Sequence, residues 1–364
     1  MKNKVLIVTT TPYMIRQFLM NDISILQDLD YQVEVATNFK SFNVIDDESL
    51  EQFRKKLKSM NITIHQVNFP RRVFSIIELL KSYKEMKKLL SNNYKLMHTH
   101  TPIASVISRL ASKKFKSLKV IYTAHGFHFF KGAPIINWIT FYPIEKWLSK
   151  YTDVLITINR EDYEIAERNF KAKKVEYVPG IGIDIDAIKN IRVNKEEIKK
   201  SLKIPSENKI LISVGELSKR KNHELVIKAL KNKPNITYLI CGQGNLKDYL
   251  EKIADENNVD LRLLGFRNDR IELIKISDIF VFPSLQEGLP VALMEAMACG
   301  CVCVVSKIRG NVDLISNNLF DPLDIDDCRK CVFSASNELI NLEQMEKYST
   351  NYIKSIVKDI YVKI

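Results

Sequence analysis

Two glutamates frame a turn between a predicted strand and a predicted helix in the second half of the chain. Glu287 lies in a loop that follows the apolar run 279–282, and Glu295 lies inside 291–298, a run of good helix formers. Pro290 suits the first turn of that helix, where its missing N–H is no loss. The spacing therefore puts one carboxylate on the loop and the other about two helical turns later.

The predicted helix start between these glutamates has a chemical use. A helix N-terminus carries unpaired N–H groups and the positive end of the helix dipole, which together suit a phosphate group. Glu287 could face the reacting end of such a ligand, while Glu295 could accept hydrogen bonds from the hydroxyls of a ribose or sugar. The alternative is that Glu287 is a solvated loop acid and Glu295 an ordinary exposed helix residue.

A basic loop follows the first predicted strand of the second half. Gly215 opens it, and Lys219, Arg220 and Lys221 precede a helix. Arginine binds phosphate through two parallel hydrogen bonds and lysine supplies a point charge, so the loop is a candidate diphosphate clamp. A solvated basic loop is the alternative. Gly242, after the next strand, allows close approach of a ligand or simply forms a tight turn.

Four of the six histidines lie at or just after two predicted strand ends in the first half of the chain. They are His98, His100, His125 and His128. Open α/β sheets bind ligands at that edge, although a buried structural role is the alternative for any single histidine. His125, which precedes a glycine, is the best candidate for function.

Composition limits the class of protein. The chain has 364 residues, enough for two domains, and a net charge of +12, so we expect anionic partners. No nucleic-acid-binding motif accompanies this charge. The first apolar run is too short for a signal peptide, and no run approaches the ~20 apolar residues of a membrane helix. Cys301 and Cys303 lie in an apolar strand-like run, where cysteine behaves as a small hydrophobe rather than a metal ligand.

Apolar strand-like runs alternate with amphipathic helical runs, which predicts an α/β protein with parallel sheets covered on both faces. The glycine-punctuated stretch 178–184 separates two such series, and a cleft between two sheets is where ligands usually bind. The predicted strands are 5–8, 33–36, 62–67, 96–99, 120–123, 154–158, 209–214, 236–241, 261–264, 279–282 and 301–305. The predicted helices include 18–29, 49–57, 74–90, 104–112, 195–202 and 291–298.

Lysine and arginine crowd the helices and connections of the first half, as in 171–174. These residues form either solvated faces or a surface attracted to anionic lipid. For the second possibility, the run 135–143 with Lys146 and Trp147 adds aromatic side chains suited to a membrane interface. The sequence leaves both open.

The acid pair belongs to a longer pattern, Pro-Ser-x-x-Glu-Gly-Leu-Pro-x-x-x-x-Glu-Ala-Met-Ala-x-Gly, which begins at Pro283. Together with Val-Gly-Glu-Leu-Ser-Lys-Arg-Lys-Asn-His at 214–223 and Thr-Ala-His-Gly-Phe at 123–127, it resembles the retaining glycosyltransferases of family 4. The similarity is strongest to the bacterial capsular and exopolysaccharide branch. It extends from Val5 past Asp321.

This resemblance implies two Rossmann-like domains facing across a cleft, the GT-B fold. It implies an N-terminal acceptor-binding domain at 1–185 and a C-terminal donor-binding domain at 186–340. A terminal helix within 341–364 would cross back to the first domain. It further implies a UDP-sugar donor, and neither a metal nor another cofactor.

The resemblance also assigns residues. Glu287 would lie beside the donor sugar, and Glu295 would bind the ribose hydroxyls. Lys221, with Arg220 or Lys219, would neutralise the diphosphate leaving group. The implied catalytic residues are Glu287, His125 and Lys221. The implied donor-binding residues are Gly215, Lys219, Arg220, Lys221, Gly242, Phe266, Arg267, Gly288, Leu289, Val291 and Glu295.

This chain differs from the family pattern at two places. Glu216 occupies a position where many members have arginine, so the phosphate-binding cations must come from 219–221. The N-terminal glycine loop of many members is absent at 9–13, which leaves the acceptor contacts unassigned.

From the resemblance as a whole, we expect a retaining transferase that moves a hexosyl or N-acetylhexosaminyl group to a lipid-linked oligosaccharide at the cytoplasmic membrane face. The alternatives are an epimerase or phosphorylase of similar architecture, or a non-catalytic nucleotide-sugar-binding subunit.

Overall fold

The computed structural model describes residues 3–40, 47–70, 75–335 and 345–364. The chain forms two compact units, Met1–Pro179 with Ile353–Ile364, and Gly180–Tyr352. Each unit is built on a parallel sheet with helices on its faces, so the predicted α/β class is confirmed.

The first unit contains a sheet of seven described strands. These are β1 (Lys4–Val8), β2 (Gln32–Thr37), β3 (Thr63–Gln66), β4 (Leu96–His100), β5 (Lys119–Ala124), β6 (Val154–Thr157) and β7 (Lys174–Tyr177). All neighbours pair in parallel, in the order β3-β2-β1-β4-β5-β6-β7. Val5 aligns with Val33 on one side and with Leu96 on the other. The strand order reverses at this point, between β1 and β4.

Helices cover both faces of this sheet. They are α1 (Pro12–Met14), α2 (Met20–Asp28), α3 (Asp47–Ser59), α4 (Ile76–Leu90), α5 (Pro102–Ser112), α6 (Ile135–Leu148) and α7 (Arg160–Asn169), with a π-helical turn at Ile15–Leu19 and a 3₁₀ turn at Ser149–Tyr151. Local chemistry sets their starts. Pro102 takes the first turn of α5, and Asn159 caps α7 by accepting a hydrogen bond from the Asp162 N–H at 2.9 Å.

The second unit repeats the layout with six described strands. They are β8 (Lys209–Val214), β9 (Ile236–Cys241), β10 (Asp260–Gly265), β11 (Ile279–Phe282), β12 (Val302–Ser306) and β13 (Leu319–Phe320), in the order β10-β9-β8-β11-β12-β13. The helices are α8 (Ile185–Asn190), α9 (Lys195–Ser201), α10 (His223–Ala229), α11 (Lys247–Glu256), α12 (Arg270–Ile276), α13 (Val291–Ala298), α14 (Asn311–Leu314) and α15 (Ile325–Ser334), with a 3₁₀ turn at Lys219–Lys221. Here the order reverses between β8 and β11.

The last helix, α16 (Thr350–Lys363), contributes its apolar side to the core of the first unit. Ile353, Val357, Ile360 and Tyr361 are buried there with the β1 residues and the helix that precedes β2. Burial of four such side chains is the physical reason why the end of the chain groups with its beginning. The domain boundaries expected from the sequence, at 185 and 340, stay a prediction; the compact units change at 179–180 and 352–353.

The predicted strands agree with the observed ones to within one residue at each end. Two strands, β7 and β13, were not predicted, because β7 is polar and only half-buried and β13 has two residues. The helix predicted at 18–29 starts earlier in the chain, since Pro12 begins a helical turn that continues through the π-helical turn. The prediction for 74 lies outside the described residues.

Candidate functional site

The edge of the second sheet brings two loops of the predicted site together. β8 and β11 are neighbours in the sheet, and the strand order reverses between them. Parallel α/β sheets bind ligands at the carboxyl ends of the strands beside such a reversal. The loop 215–222 follows β8 and the loop 283–290 follows β11, and the Leu285 N–H donates to the Arg220 carbonyl at 2.8 Å.

Glu287 is held by two cations of the neighbouring loop. Its Oε1 accepts a hydrogen bond from Lys221 Nζ at 2.7 Å and one from Arg220 Nη1 at 2.9 Å. Arg220 also donates to the Gln286 carbonyl at 3.1 Å. The side chains of Glu287 and Lys221 are each 12% exposed, whereas that of Arg220 is 44% exposed. Lys219 lies exposed in the same turn. Of the three candidate cations, the structure therefore brings Arg220 and Lys221 to the acid.

Lys221 is an unusual lysine because its ammonium group is largely buried. Burial lowers its pKa, and the carboxylate of Glu287 opposes that shift. Nζ also lies 4.5 Å from the centre of the Phe282 ring, a cation–π distance. An ammonium group that is partly stripped of water interacts more strongly with a phosphate than one in bulk solvent. The arrangement is therefore suited to stabilise negative charge on a leaving group.

Glycines allow the backbone of this edge to pack closely. A Cβ atom on Gly242 would lie 1.7 Å from the Gly215 carbonyl oxygen, so only glycine fits at position 242. A Cβ atom on Gly215 would lie 3.0 Å from Lys221 Cε, so this glycine leaves room for the lysine stem. A Cβ atom on Gly310 would lie 2.2 Å from the Gly288 carbonyl oxygen, so these two backbone segments also pack closely. The predicted glycines Gly215 and Gly242, together with Gly310, which was not predicted, thus shape the loops that carry the charged residues.

Glu295 lies in α13 and is buried, which excludes the alternative of an ordinary exposed helix residue. Both of its carboxylate oxygens accept hydrogen bonds from Arg270, at 3.0 Å from Nε and 2.6 Å from Nη2. This bidentate pair raises the pKa of Arg270. Each carboxylate oxygen has a second lone pair, so the pair fixes the orientation of Glu295 and leaves it able to accept further hydrogen bonds.

The other predicted donor residues lie around the same sheet edge. Phe266 follows β10 and is 71% exposed, so its ring is available to a base. Arg267 makes a bidentate pair with Asp269, with Nε 2.7 Å from Oδ1. Leu289 is buried next to Gly180, and Val291 is the first residue of α13.

Three histidines of the first unit form a cluster, in which His98 and His100 are buried. The rings of His98 and His100 are 4.1 Å apart, and His100 Nδ1 lies 3.1 Å from His125 Nε2. Tyr361 donates to Asp22 at 2.9 Å, so its oxygen accepts from His98 Nδ1, which lies 2.7 Å away. The predicted histidine His125 is therefore connected through two other histidines to the last helix, while the predicted glutamates and cations belong to the second unit.

Two family models match the chain. The model described as "Glycosyl transferase 4-like" matches residues 4–159, and the one described as "Glycosyl transferases group 1" matches residues 194–351. The chain is 30% identical to a protein of Bacillus subtilis (strain 168) named glycosyltransferase EpsD, over 86% of this chain and 81% of that protein. The chain belongs to the family 4 glycosyltransferases.

A second relative has a more specific name. It is the UDP-Gal:alpha-D-GlcNAc-diphosphoundecaprenol alpha-1,3-galactosyltransferase of Escherichia coli, 30% identical over 80% of this chain and 81% of that protein. Among solved structures, HepE of Anabaena in complex with UDP and glucose has a TM-score of 0.75 at 16% identity, with full coverage of both chains. The latter likeness confirms the GT-B fold class of this glycosyltransferase.

Sequence reasoning missed two arginines of the glycosyltransferase. Arg270, which orients Glu295, stands three residues after the predicted Arg267, and only the sheet order brings it to α13. Arg309 is buried after β12 and donates to the Glu287 carbonyl at 3.2 Å. Its position after a predicted strand end was the available signal.

The next observations concern the cysteines, possible metal-binding clusters and the length of the apolar helices. Burial raises the pKa of Cys301 to about 12, as expected for a packed thiol. Within the described ranges, no three or more His, Cys, Asp or Glu side chains converge so that they could hold a metal ion. No helix in the described part of this glycosyltransferase is both long and apolar enough to cross a membrane.

The buried histidines predict how stability depends on pH. Burial lowers the pKa of His98 to about 3 and that of His125 to about 4, so the unfolded chain binds more protons than the folded chain between these values and about 6.5. Burial raises the pKa of Asp22 to about 6, so its contribution to stability is present below about pH 4 and is lost as pH rises through 6. Burial also lowers the pKa of His100 and that of His223, so four histidines oppose one acid. We therefore expect the free energy of unfolding to fall as pH decreases from 6.5 to 4.5.

Urea denaturation at a series of pH values tests this expectation. His98→Gln is expected to flatten the pH dependence, and Asp22→Asn is expected to steepen it, because the two variants remove opposite contributions. Equal slopes in the wild type and both variants would contradict the assignment.

Proposed function

We propose that this glycosyltransferase moves a hexosyl or N-acetylhexosaminyl group from a UDP-sugar to a lipid-linked oligosaccharide, with retention at the anomeric carbon. The reaction belongs to bacterial capsular or exopolysaccharide biosynthesis and takes place at the cytoplasmic face of the plasma membrane, where the enzyme is a peripheral protein. It uses neither a metal ion nor another cofactor. One observation carries the proposal: Lys221 and Arg220 converge on Glu287 where the strand order reverses.

The charges of this cluster suit a diphosphate that departs from a sugar. Lys221 and Arg220 supply the positive charge that a metal ion supplies in other transferases, so the proposed reaction needs no metal. The diphosphate competes with Glu287 for both cations, and the displaced carboxylate then lies beside the sugar. Retention follows when the acceptor hydroxyl attacks from the side on which the diphosphate leaves, with the diphosphate as proton acceptor.

The neighbouring residues take the rest of the donor in this proposal. Glu295, oriented by Arg270, accepts hydrogen bonds from the ribose hydroxyls. The exposed ring of Phe266 and the side chain of Arg267 border the uracil base. The related galactosyltransferase of Escherichia coli, whose name specifies a UDP-sugar donor and a diphosphoundecaprenol-linked acceptor, supports both choices.

The test is to incubate the purified protein with a panel of UDP-sugars and a detergent-solubilised extract of lipid-linked oligosaccharides. We expect one UDP-sugar to be consumed, UDP to be released, and the acceptor mass to rise by one sugar. Nuclear magnetic resonance of the product should give the same anomeric configuration as the donor, and EDTA should not slow transfer. Inversion of configuration, or UDP-sugar consumption without any acceptor product, would overturn the proposal.

A further inference from the structure

The outer face of α6 is apolar although it faces solvent. Ile135, Ile136, Ile139 and Trp147 are exposed on this helix, and Ile135 is 73% exposed. A surface helix normally places polar side chains on its outer face, and contiguous exposed apolar side chains mark a surface that contacts another apolar phase. The outer face of α6 therefore has the character of an interaction surface.

The beginning of α4 has the same character. Ile76, Ile77 and Leu80 lie on one side of this helix, and Ile77 is 82% exposed. A cavity of about 250 Å³ is lined by residues of α4, α5 and α6, among them Leu79 and Ile144. Both helices therefore border one apolar cavity, and their exposed apolar residues are Ile76, Ile77 and Leu80 on α4 and Ile135, Ile136, Ile139 and Trp147 on α6. We call these residues of α4 and α6 the α4–α6 surface.

A basic hollow adjoins the α4–α6 surface. Its volume is about 350 Å³, and its lining residues are Tyr142, Pro143, Lys146, Trp147, Lys150 and Lys171. Lys150 Nζ lies 5.0 Å from the centre of the Trp147 ring, and Lys146 Nζ lies 5.6 Å from that of Tyr142. Aromatic rings beside lysines are the side chains that membrane interfaces favour, and three ammonium groups complement the charge of lipid phosphates.

We propose that the α4–α6 surface and its basic hollow dock on the surface of an anionic bilayer. The isoleucines and Trp147 enter the boundary between headgroups and acyl chains, while Lys150 and Lys171 contact lipid phosphates. This inference rests on the proposed function, since a lipid-linked acceptor is confined to a bilayer and the enzyme has to reach it. Charge complementarity selects the bilayer as partner, because a second copy of this basic surface would repel the first.

Co-sedimentation of the full chain with vesicles tests the docking. Vesicles of phosphatidylcholine with phosphatidylglycerol are compared with vesicles of phosphatidylcholine alone. Each lysine near an anionic surface contributes about fivefold in affinity, so Lys150→Glu with Lys171→Glu is expected to weaken binding to the anionic vesicles by more than about tenfold. Ile135→Ser with Ile139→Ser is expected to weaken it as well. The matched control is Lys247→Glu with Lys252→Glu, two exposed lysines of α11 in the second unit.

The control should bind as the wild type does. Equal binding by the lysine variants and the control, or no preference of the wild type for anionic vesicles, would overturn the docking surface. A dimer in gel filtration that the Ile135→Ser, Ile139→Ser variant abolishes, without vesicle binding, would also overturn it. Transfer to detergent-solubilised acceptor separates this result from the proposed function: the variants should retain it, and its absence in the wild type would refute the function instead.

Discussion

Replacement of Lys221 by alanine or methionine is expected to lower the turnover of sugar transfer by about 10²- to 10³-fold, the usual effect of removing one preorganised group that stabilises charge in a transition state. Lys221 Nζ is largely buried, 2.7 Å from Glu287 and 4.5 Å from the Phe282 ring centre. Methionine preserves the stem that packs over Gly215, so a loss in Lys221→Met reports the missing charge rather than missing packing. The measurement is steady-state release of UDP with saturating acceptor.

Two further variants, one at the neighbouring acid and one at a control lysine, are measured beside Lys221→Met. Glu287→Gln is expected to reduce turnover more than nucleotide affinity, because the acid is placed beside the sugar in the proposed reaction. Lys228→Ala is the control, since Lys228 lies on the following helix in an exposed pair with Glu224. Circular dichroism should give the same spectrum for all of them. Wild-type turnover in Lys221→Met would remove this lysine from the mechanism.

Replacement of Arg109 by alanine is expected to lower the free energy of unfolding by about 3–5 kcal/mol, because it leaves the buried carboxylate of Glu145 without its positively charged partner. Arg109 is 1% exposed, and its Nη2 donates to Glu145 Oε2 at 2.7 Å. Its guanidinium carbon also lies 4.1 Å from the Tyr122 ring centre. Urea denaturation followed by circular dichroism measures the change.

A double variant and a surface control variant test whether the loss of stability comes from the unpaired buried charge of Glu145. Arg109→Met with Glu145→Leu replaces both ions by apolar side chains and is expected to recover most of the lost stability, because no uncompensated charge remains. Arg168→Ala removes an arginine from an exposed pair with Glu164 and is expected to change stability by less than about 1 kcal/mol. A similar small effect for Arg109→Ala would mean that this ion pair is hydrated in solution.

The secondary structure near the donor loops could be predicted from sequence because its signals are local. The apolar run at β11, Pro290 and the helix formers that follow fix a strand, a turn and a helix within about twenty residues, a range over which propensity and capping act. The same reasoning failed at β7, whose half-buried polar residues pair with β6 only through the sheet. For the aromatic run 135–143 the sequence leaves two roles open, because the exposure of its side chains in α6 depends on the elements packed around that helix.

The sequence by itself determined the α/β class, the positions of Glu287 and Lys221 in loops that follow strands and of Glu295 in a helix, and the family that these residues indicate. Only the tertiary structure decided that two of the three adjacent cations contact Glu287, that Arg270 orients Glu295, and that Tyr361 contacts His98. Lys221 and Glu287 are 66 residues apart, and His98 and Tyr361 are 263 apart. Such contacts depend on the order of strands in a sheet and on which core buries a helix, and neither is encoded in any short stretch of chain.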